Sequence, residues 1–455
     1  MTTTTKLLDL IGNTPLVQLT RFDTGPCELF VKLESHNPGG SIKDRIGRSM
    51  IAQAEADGLI GPHQKHLIEA TSGNTGLSLA LIARLKGYEL TLVIPDKMSQ
   101  EKVTHLRALG TTVVTTRSDV EKGHPAYYQD IAERMARESG AFYVNQFNNP
   151  ANPRAHEEST GPELKAQMDG DIDACVCGVG SGGTISGLSH YFEKAVPGCE
   201  MVLADPKGSA LTHYVETGKL GPVGSWLVEG IGEDFLPPVC DLSRVKKAYT
   251  IDDAEALGTT RELLSREGIL AGTSTGTLLA AALRYCREQK TKKRVVTFVC
   301  DSGNKYLSKV FNDYWMADQG FLRRPNTGDL RDVITRRFSD GQVVTVAPTD
   351  TLLTALSRMR LYDISQLPVI DAGKVVGMLD EGDVLFTSVE DQSKLKTTVS
   401  TVMSTRLETV PVTTPALELL PLFDKGLVPL VFDGPQFVGL ITRMDLLGHL
   451  RRKLA

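Results

Sequence analysis

A lysine follows two glycines and a serine in "NPGGSIKDRIG", residues 37–47, where the pattern turns helical. An amine placed there can hold a phosphate as a point charge, stand in solvent, or act as a nucleophile that forms a Schiff base with a carbonyl. At its ordinary pKa of about 10.4 it is a poor nucleophile, but a helix N-terminus and partial desolvation lower that value. Three further glycine clusters also precede helical text: "TSGNTG" at 71–76, "GVGSGGTISG" at 178–187 and "AGTSTG" at 271–276. Such turns present unpaired N–H groups and the positive end of a helix dipole, which suit a phosphate or carboxylate. Each alone can equally be a bend that glycine permits.

The third cluster supports a rival chemistry. Gly178, Gly180 and Gly183 fit G-x-G-x-x-G after a strand, and Asp205 ends the next strand, "EMVLAD", which together form a dinucleotide fingerprint and point to an NAD-binding Rossmann enzyme. That crevice would leave the two earlier anion turns unexplained. An aldehyde cofactor carrying a phosphate uses both Lys43 and a separate glycine turn, and pyridoxal phosphate is such a cofactor.

These groups need a frame. At 455 residues the chain exceeds one ordinary core, so two or more domains are expected. Near-continuous apolar runs, "ELFVKLE", "KHLIEA", "ELTLVIP", "TTVVTT", "ACVCGVG", "EMVLAD" and "RVVTFVCD", alternate with helical stretches, as in parallel α/β sheets buried on both faces. After "YWMADQGFL" the text turns polar, so a linker is expected over 323–341, between domains at 1–322 and 342–455. The last part repeats itself: "LPVIDAGKVVGMLDEGDVL" is echoed by "VPLVFDGPQFVGLITRMDLL", with Pro368, Gly377 and Asp383 answering Pro429, Gly439 and Asp445.

With 50 basic against 55 acidic residues, nothing suggests a nucleic-acid partner or an anionic membrane surface. No run approaches the ~20 apolar residues of a membrane span. The start lacks signal-peptide features, so a cytoplasmic protein is expected. Seven cysteines without zinc spacing read as buried thiols, with no metal, and the two in "CVC", Cys175 and Cys177, are expected on opposite faces of a strand.

The stretches "LIGNTPLVQL", "NPGGSIKDRIG", "ATSGNTGLSLA", "KMSQEKVTHLRALG", "GVGSGGTISG" and "VEGIGEDFLP" resemble the β-family, or fold type II, of pyridoxal-phosphate enzymes. "DSGNKYLSKVFNDYWMADQGFL" and the repeat resemble its cystathionine β-synthase branch rather than its cysteine synthases. The resemblance implies a two-subdomain, tryptophan-synthase-β-like α/β fold with parallel sheets. A smaller α/β tandem of CBS domains, a Bateman regulatory module, would follow it.

By the same resemblance, Lys43 would carry pyridoxal phosphate as a Schiff base and act as general base and acid. Asn74 would bond the ring hydroxyl, and Gly180, Ser181, Gly182, Gly183 and Thr184 would cradle the phosphate. Ser274 would face the pyridine nitrogen, its neutral hydroxyl leaving that nitrogen unprotonated and favouring β-elimination. Thr71, Ser72, Thr75 and Gln146 would bind the substrate carboxylate, and Gly230 would lie where a loop closes over the ring.

The implied reaction condenses L-serine with L-homocysteine to cystathionine through an aminoacrylate, with hydrogen sulfide release from cysteine as a side activity. The alternative is cysteine synthesis from O-acetylserine and sulfide, since Phe147 stands where cysteine synthases have phenylalanine. No haem is expected, because no cysteine- and histidine-bearing extension precedes the core, and a homodimer is expected by analogy of fold. In the tail, Thr442 and Asp445 would hold the ribose of an adenosine-containing effector such as S-adenosylmethionine. Asp380 stands at the matching threonine position of the first repeat, so at most one full site is expected.

Overall fold

The computed structural model describes residues 6–71, 73–96, 98, 100–120, 123–322 and 327–454. It divides into two compact units, Met1–Phe311 and Asn312–Ala455. The first holds β1 (Leu16–Gln18), β2 (Glu28–Leu33), β3 (His66–Ala70), β4 (Glu89–Pro95), β5 (Thr112–Thr116), β6 (Phe142–Tyr143), β7 (Ala174–Cys177), β8 (Glu200–Pro206), β9 (Val245–Ile251) and β10 (Arg294–Val299). They form two sheets, ordered β1-β2-β10-β7-β8-β9 and β5-β4-β3-β6. Only β1 runs antiparallel to its neighbour.

The central strands are covered on both faces, which is why they read as unbroken apolar runs: all four residues of β7 are buried, as are five of the six in β10. Helix Thr273–Arg287 exposes little beyond its C-terminal turn, and its "TGTLLAAAL" sequence supplies the small side chains that burial on every side needs. Parallel strands place their C-terminal ends together. Ala70, Cys177 and Val299 end β3, β7 and β10, and the glycine-rich turns and Cys300 follow them.

Cys175 and Cys177 correct an expectation. Strand residues two apart share a face, and these sulfurs lie 3.7 Å apart on one side of β7. That is too long for a disulfide, and all seven cysteines are free thiols.

In the second unit the two repeats have separate cores, one around Val346, Leu367, Val369 and Leu379, the other around Val412, Leu419, Val431 and Ile441. β11 (Gln366–Asp371) pairs antiparallel with β12 (Lys374–Asp380). β13 (Thr409–Pro411) lies parallel to β14 (Leu430–Asp433), which pairs antiparallel with β15 (Gln436–Leu440). Each hairpin carries a register shift, at Val369/Ile370 and at Val431/Phe432. The repeat glycines are required by close packing: a Cβ on Gly377 would meet Met403 Sδ at 2.5 Å, and one on Gly439 the Arg336 carbonyl at 2.9 Å.

The segment expected as linker is partly built in. Leu330, Val333 and Ile334 are buried in the core of the second repeat, and Leu330 N–H donates to the Val412 carbonyl at 2.9 Å. Three apolar residues at helical spacing outweigh the charged text around them. Helix Asp313–Asp318, placed by the sequence reading before the linker, also belongs to this unit, where Arg451 pairs with Asp318.

Candidate functional site

Lys43 begins helix Lys43–Ala56, which is pinned to the end of β10 by Ile42 N–H donating to the Cys300 carbonyl at 2.8 Å. Burial holds the Lys43 amine below the ordinary lysine range, with Cys300, Glu233 and Asp301 pulling the other way. Its Nζ has no hydrogen-bond partner among the described residues. A desolvated amine of this kind is available as a nucleophile and as a base.

After β7, Gly180, Ser181 and Gly182 lead into helix Gly183–Ala195, whose N-terminus has no side-chain cap. Gly182 has φ 86°, and a Cβ there would sit 2.4 Å from Cys240 Cβ, so the turn needs glycine on both counts. Ser181 Oγ accepts from Asn152 Nδ2 at 2.9 Å, which leaves its own hydrogen to donate. Thr184 Oγ1 lies 3.2 Å from Nε2 of His156, an imidazole that burial keeps neutral. Backbone N–H groups and two hydroxyls at a helix start suit a phosphate.

Asn74 is the first residue of helix Asn74–Lys86, whose Gly73 end also lacks a side-chain cap. Thr75 Oγ1 donates to Gln146 Oε1 at 2.6 Å, and Gln146 N–H to Glu69 Oε2 at 3.2 Å. Thr71 Oγ1 accepts from Gly73 N–H at 3.2 Å. Ser72 lies outside the described residues. Ser274, buried in the first turn of helix Thr273–Arg287, bonds the Cys300 thiol, which burial pushes up to about 12.

Lys43, Asn74 and Ser274, the group Thr71, Thr75 and Gln146, and Gly180, Ser181, Gly182, Thr184 and Gly230 all line one cavity of about 490 Å³. Gly183 stands just behind it, backed by Asn152 Oδ1. The arrangement fits pyridoxal phosphate: a desolvated amine for the aldehyde, a donor-rich turn for the phosphate, and a neutral hydroxyl at Ser274. Asp205 is buried and spent on Thr212, accepting from its N–H at 2.8 Å and its hydroxyl at 3.0 Å, so it starts a helix instead of facing a ribose.

Sequence reasoning missed the polar network behind Asn74. Asp301, Lys305, Tyr306 and Lys102 are all buried, and Lys102 reaches Glu229 at 2.6 Å on the cavity wall. The motif "DSGNKY" was in view, but its charged residues carry no spacing that predicts burial. In the second unit Thr442 and Asp445 do meet: Thr442 Oγ1 donates to Asp445 Oδ2 at 2.6 Å, at the start of helix Arg443–Leu454. Asp380 and Asp383 form the matching capping box before helix Glu381–Ser388.

Residues 7–301 match the family described as pyridoxal-phosphate dependent enzyme, and residues 330–390 and 399–452 each match the CBS domain. The chain is 34% identical over 461 residues to cystathionine beta-synthase of Dictyostelium discoideum, covering 98% of this chain and 92% of that protein. It is 40% identical over 302 residues to cysteine synthase A of Escherichia coli (strain K12), covering 66% of this chain and 92% of that one. The solved O-acetylserine dependent cystathionine beta-synthase from Helicobacter pylori superposes with a TM-score of 0.63 at 33% identity, over 68% of this chain and 99% of that one. No helix among the described residues is long and apolar enough to cross a membrane. The chain is a pyridoxal-phosphate dependent lyase, and it belongs to the cystathionine beta-synthase family, with a C-terminal pair of CBS domains.

Proposed function

We propose that the protein catalyses β-replacement on L-serine, condensing it with L-homocysteine to cystathionine. The observation that carries this reading is the meeting of Lys43, the Gly180–Thr184 turn and Ser274 in one cavity, in a chain that matches a cystathionine beta-synthase along nearly its whole length. When bound, pyridoxal phosphate supplies the electron sink that makes an amino acid's α-proton removable.

The protein groups do the rest. The N-terminus of helix Gly183–Ala195, with Ser181 and Thr184, holds the phosphate by N–H and O–H donors. Asn74 and Ser274 would hold the ring, and the neutral Ser274 hydroxyl would bring no formal charge to it. Thr71, Thr75, Gln146 and the N-terminus of helix Asn74–Lys86 hold the substrate carboxylate, which leaves the α-proton toward Lys43. The Lys43 amine, its pKa lowered by burial, would take that proton. It would return it to the α-carbon once the β-hydroxyl has left as water with the proton the thiol gives up and the thiol sulfur has bonded the β-carbon in its place. Hydrogen sulfide arises when cysteine takes the place of serine.

Phe147 supports a second reading, cysteine synthesis from O-acetylserine and sulfide. Its ring is buried in the cavity wall, 5.7 Å from that of Phe235, and it adds no polar group for a larger second substrate. Competition decides: purified protein offered serine with homocysteine and O-acetylserine with sulfide should form cystathionine. Cysteine alone as product would favour the second reading.

We also read the CBS pair as a regulatory module with an adenosine-containing effector at Thr442 and Asp445, in a cytoplasmic homodimer.

A further inference from the structure

The segment behind the phosphate turn holds a buried histidine that the reaction has not yet used. Helix Ala151–Ala155 widens into a π-helical turn over His156–Thr160, a departure frequent at functional sites. Close packing brings helix Gly183–Ala195 down onto it: a Cβ on Gly187 would press on the Pro153 carbonyl and meet His156 Cβ at 2.9 Å. The buried imidazole thereby reaches two hydroxyls, with Nδ1 2.9 Å from Thr160 Oγ1 and Nε2 3.2 Å from Thr184 Oγ1. Thr160 is as buried as the ring, and among the described residues Nδ1 is the acceptor its hydroxyl meets. A buried O–H is paired with an acceptor. Nδ1 therefore accepts, and a neutral imidazole that accepts there carries its hydrogen on Nε2. Burial, with Arg45 and Lys43 nearby, keeps the ring neutral. Nε2–H then donates to Thr184 Oγ1, whose own hydrogen is left for the cavity that Thr184 lines.

We propose that His156 is a positioning residue for the cofactor's phosphate: held by Thr160 as the Nε2–H tautomer, it turns the Thr184 hydroxyl hydrogen toward that phosphate. The inference rests on the reading of the Gly180–Thr184 turn as the phosphate site. Asn152 does the same for Ser181, donating to its Oγ at 2.9 Å, so one segment aims both hydroxyls. A hydrogen so aimed makes a charge-assisted bond to the phosphate. With the other tautomer, Thr184 would spend its hydrogen on Nε2 and turn only lone pairs to an anion.

The test is the ratio of affinities for pyridoxal phosphate and for pyridoxal, which lacks the phosphate, from absorbance titration of the full-length apoprotein. Thr184→Val should lower the ratio at least about tenfold, the scale of one hydrogen bond to a charged group. His156→Leu should lower it at least about threefold, and His156→Gln, whose amide can still donate to Thr184, should recover part of the loss. Thr160→Val, which keeps the shape and removes the hydroxyl, should lower it at least about twofold. In the Thr184→Val background, His156→Leu should change the ratio no further. Equal losses for both ligands, or a further fall in the double variant, would make the histidine a packing residue and overturn the assignment. An unchanged ratio in His156→Leu and Thr160→Val would overturn it too. If Thr184→Val itself leaves the ratio unchanged, the phosphate reading of that hydroxyl fails, and the inference with it.

Discussion

Asn74 donates its side-chain amide to Asp301 at 2.7 Å, while its carbonyl oxygen accepts from Lys305 at 2.8 Å. The amide plane is thus set by two buried charges before any ligand arrives. Asp301 in turn accepts from Tyr306 Oη at 2.7 Å, and Lys102 donates to that phenol at 3.1 Å. Asp301→Ala removes the group that orients Asn74 and takes away a carboxylate whose charge favours the Lys305 ammonium. Affinity for pyridoxal phosphate should fall about tenfold or more, the scale of a lost hydrogen bond to a charged group. Absorbance titration of the apoprotein measures it, with circular dichroism as the check on folding; unchanged affinity would show that Asn74 is held without Asp301.

Lys43→Ala should abolish the absorption band of the covalently held cofactor and lower turnover by ~10²-fold to 10⁴-fold, the usual contribution of a positioned acid–base group. The phosphate turn on helix Gly183–Ala195 persists, so the variant should still bind the cofactor non-covalently and keep its thermal midpoint within a few degrees. A variant that keeps the Schiff-base absorption band and its activity would return Lys43 to the status of a helix-start charge.

The lysine at the helix start, the glycine turns and the parallel strands were legible because each follows from a local pattern: small residues after an apolar run, then helical periodicity. β9 was not, because Lys246 and Lys247 interrupt "VKKAYTI" on an edge strand whose lysines reach solvent. β6 has only two residues and leaves almost no pattern. The buried charges Asp301, Lys305 and Lys102 escaped notice for a different reason: their side-chain partners are up to 231 positions away in the chain, as for Lys305 and Asn74, and no spacing rule joins them. Glu233 was read only as part of a motif, since its place on the cavity wall depends on the turn made by Gly230 and Gly232.

Gly182→Ala should be destabilising by roughly 1–3 kcal/mol, because the backbone is left-handed there and the new methyl group would press on Cys240. The same strain tilts the N–H groups at the phosphate turn, so cofactor affinity should fall with the thermal midpoint. Cys240→Gly in the same chain removes the Cβ and Sγ that the new methyl group would meet, but not the backbone strain. It should recover part of the stability, and full recovery would show that φ at this position costs nothing.

Glu69, the next-to-last residue of β3, is fully buried, with Oε1 accepting from Ala70 N–H at 3.0 Å and Oε2 from Gln146 N–H at 3.2 Å. Burial outweighs these donors and pushes its pKa from 4.5 up to about 8. The folded chain then holds a proton that the unfolded chain has released. The stability linked to it is complete below about pH 4.5, declines as pH rises, and is gone once pH passes about 8. Relative to Glu69→Gln, the wild type should therefore lose thermal stability between pH 5 and pH 8, with the difference flat above that. A difference constant across the whole range would mean that Glu69 stays ionised in the folded state.

The CBS pair offers a sharper asymmetry than its repeat suggests. Thr442 donates both its N–H and its hydroxyl to Asp445 Oδ2, at 2.7 and 2.6 Å, which leaves the other Asp445 oxygen for a ribose hydroxyl. At the matching place in the first repeat, Asp380 and Asp383 bond reciprocally through their backbone N–H groups, and two carboxylates stand where a phosphate would approach. Their mutual charge helps to hold Asp383 above the usual carboxylate range, after burial. One adenosine-containing ligand per chain is therefore expected, and S-adenosylmethionine, with its cationic sulfonium, should suit the acidic surroundings better than ATP. Calorimetric titration with S-adenosylmethionine, AMP and ATP checks this on the full chain. The expected outcome is one site, with affinity falling at least about tenfold in Asp445→Asn, which keeps a helix-capping oxygen but loses the charge. Heat from two equal sites would overturn the asymmetry, and none from any of the three ligands at high micromolar concentration would leave the repeat as architecture alone.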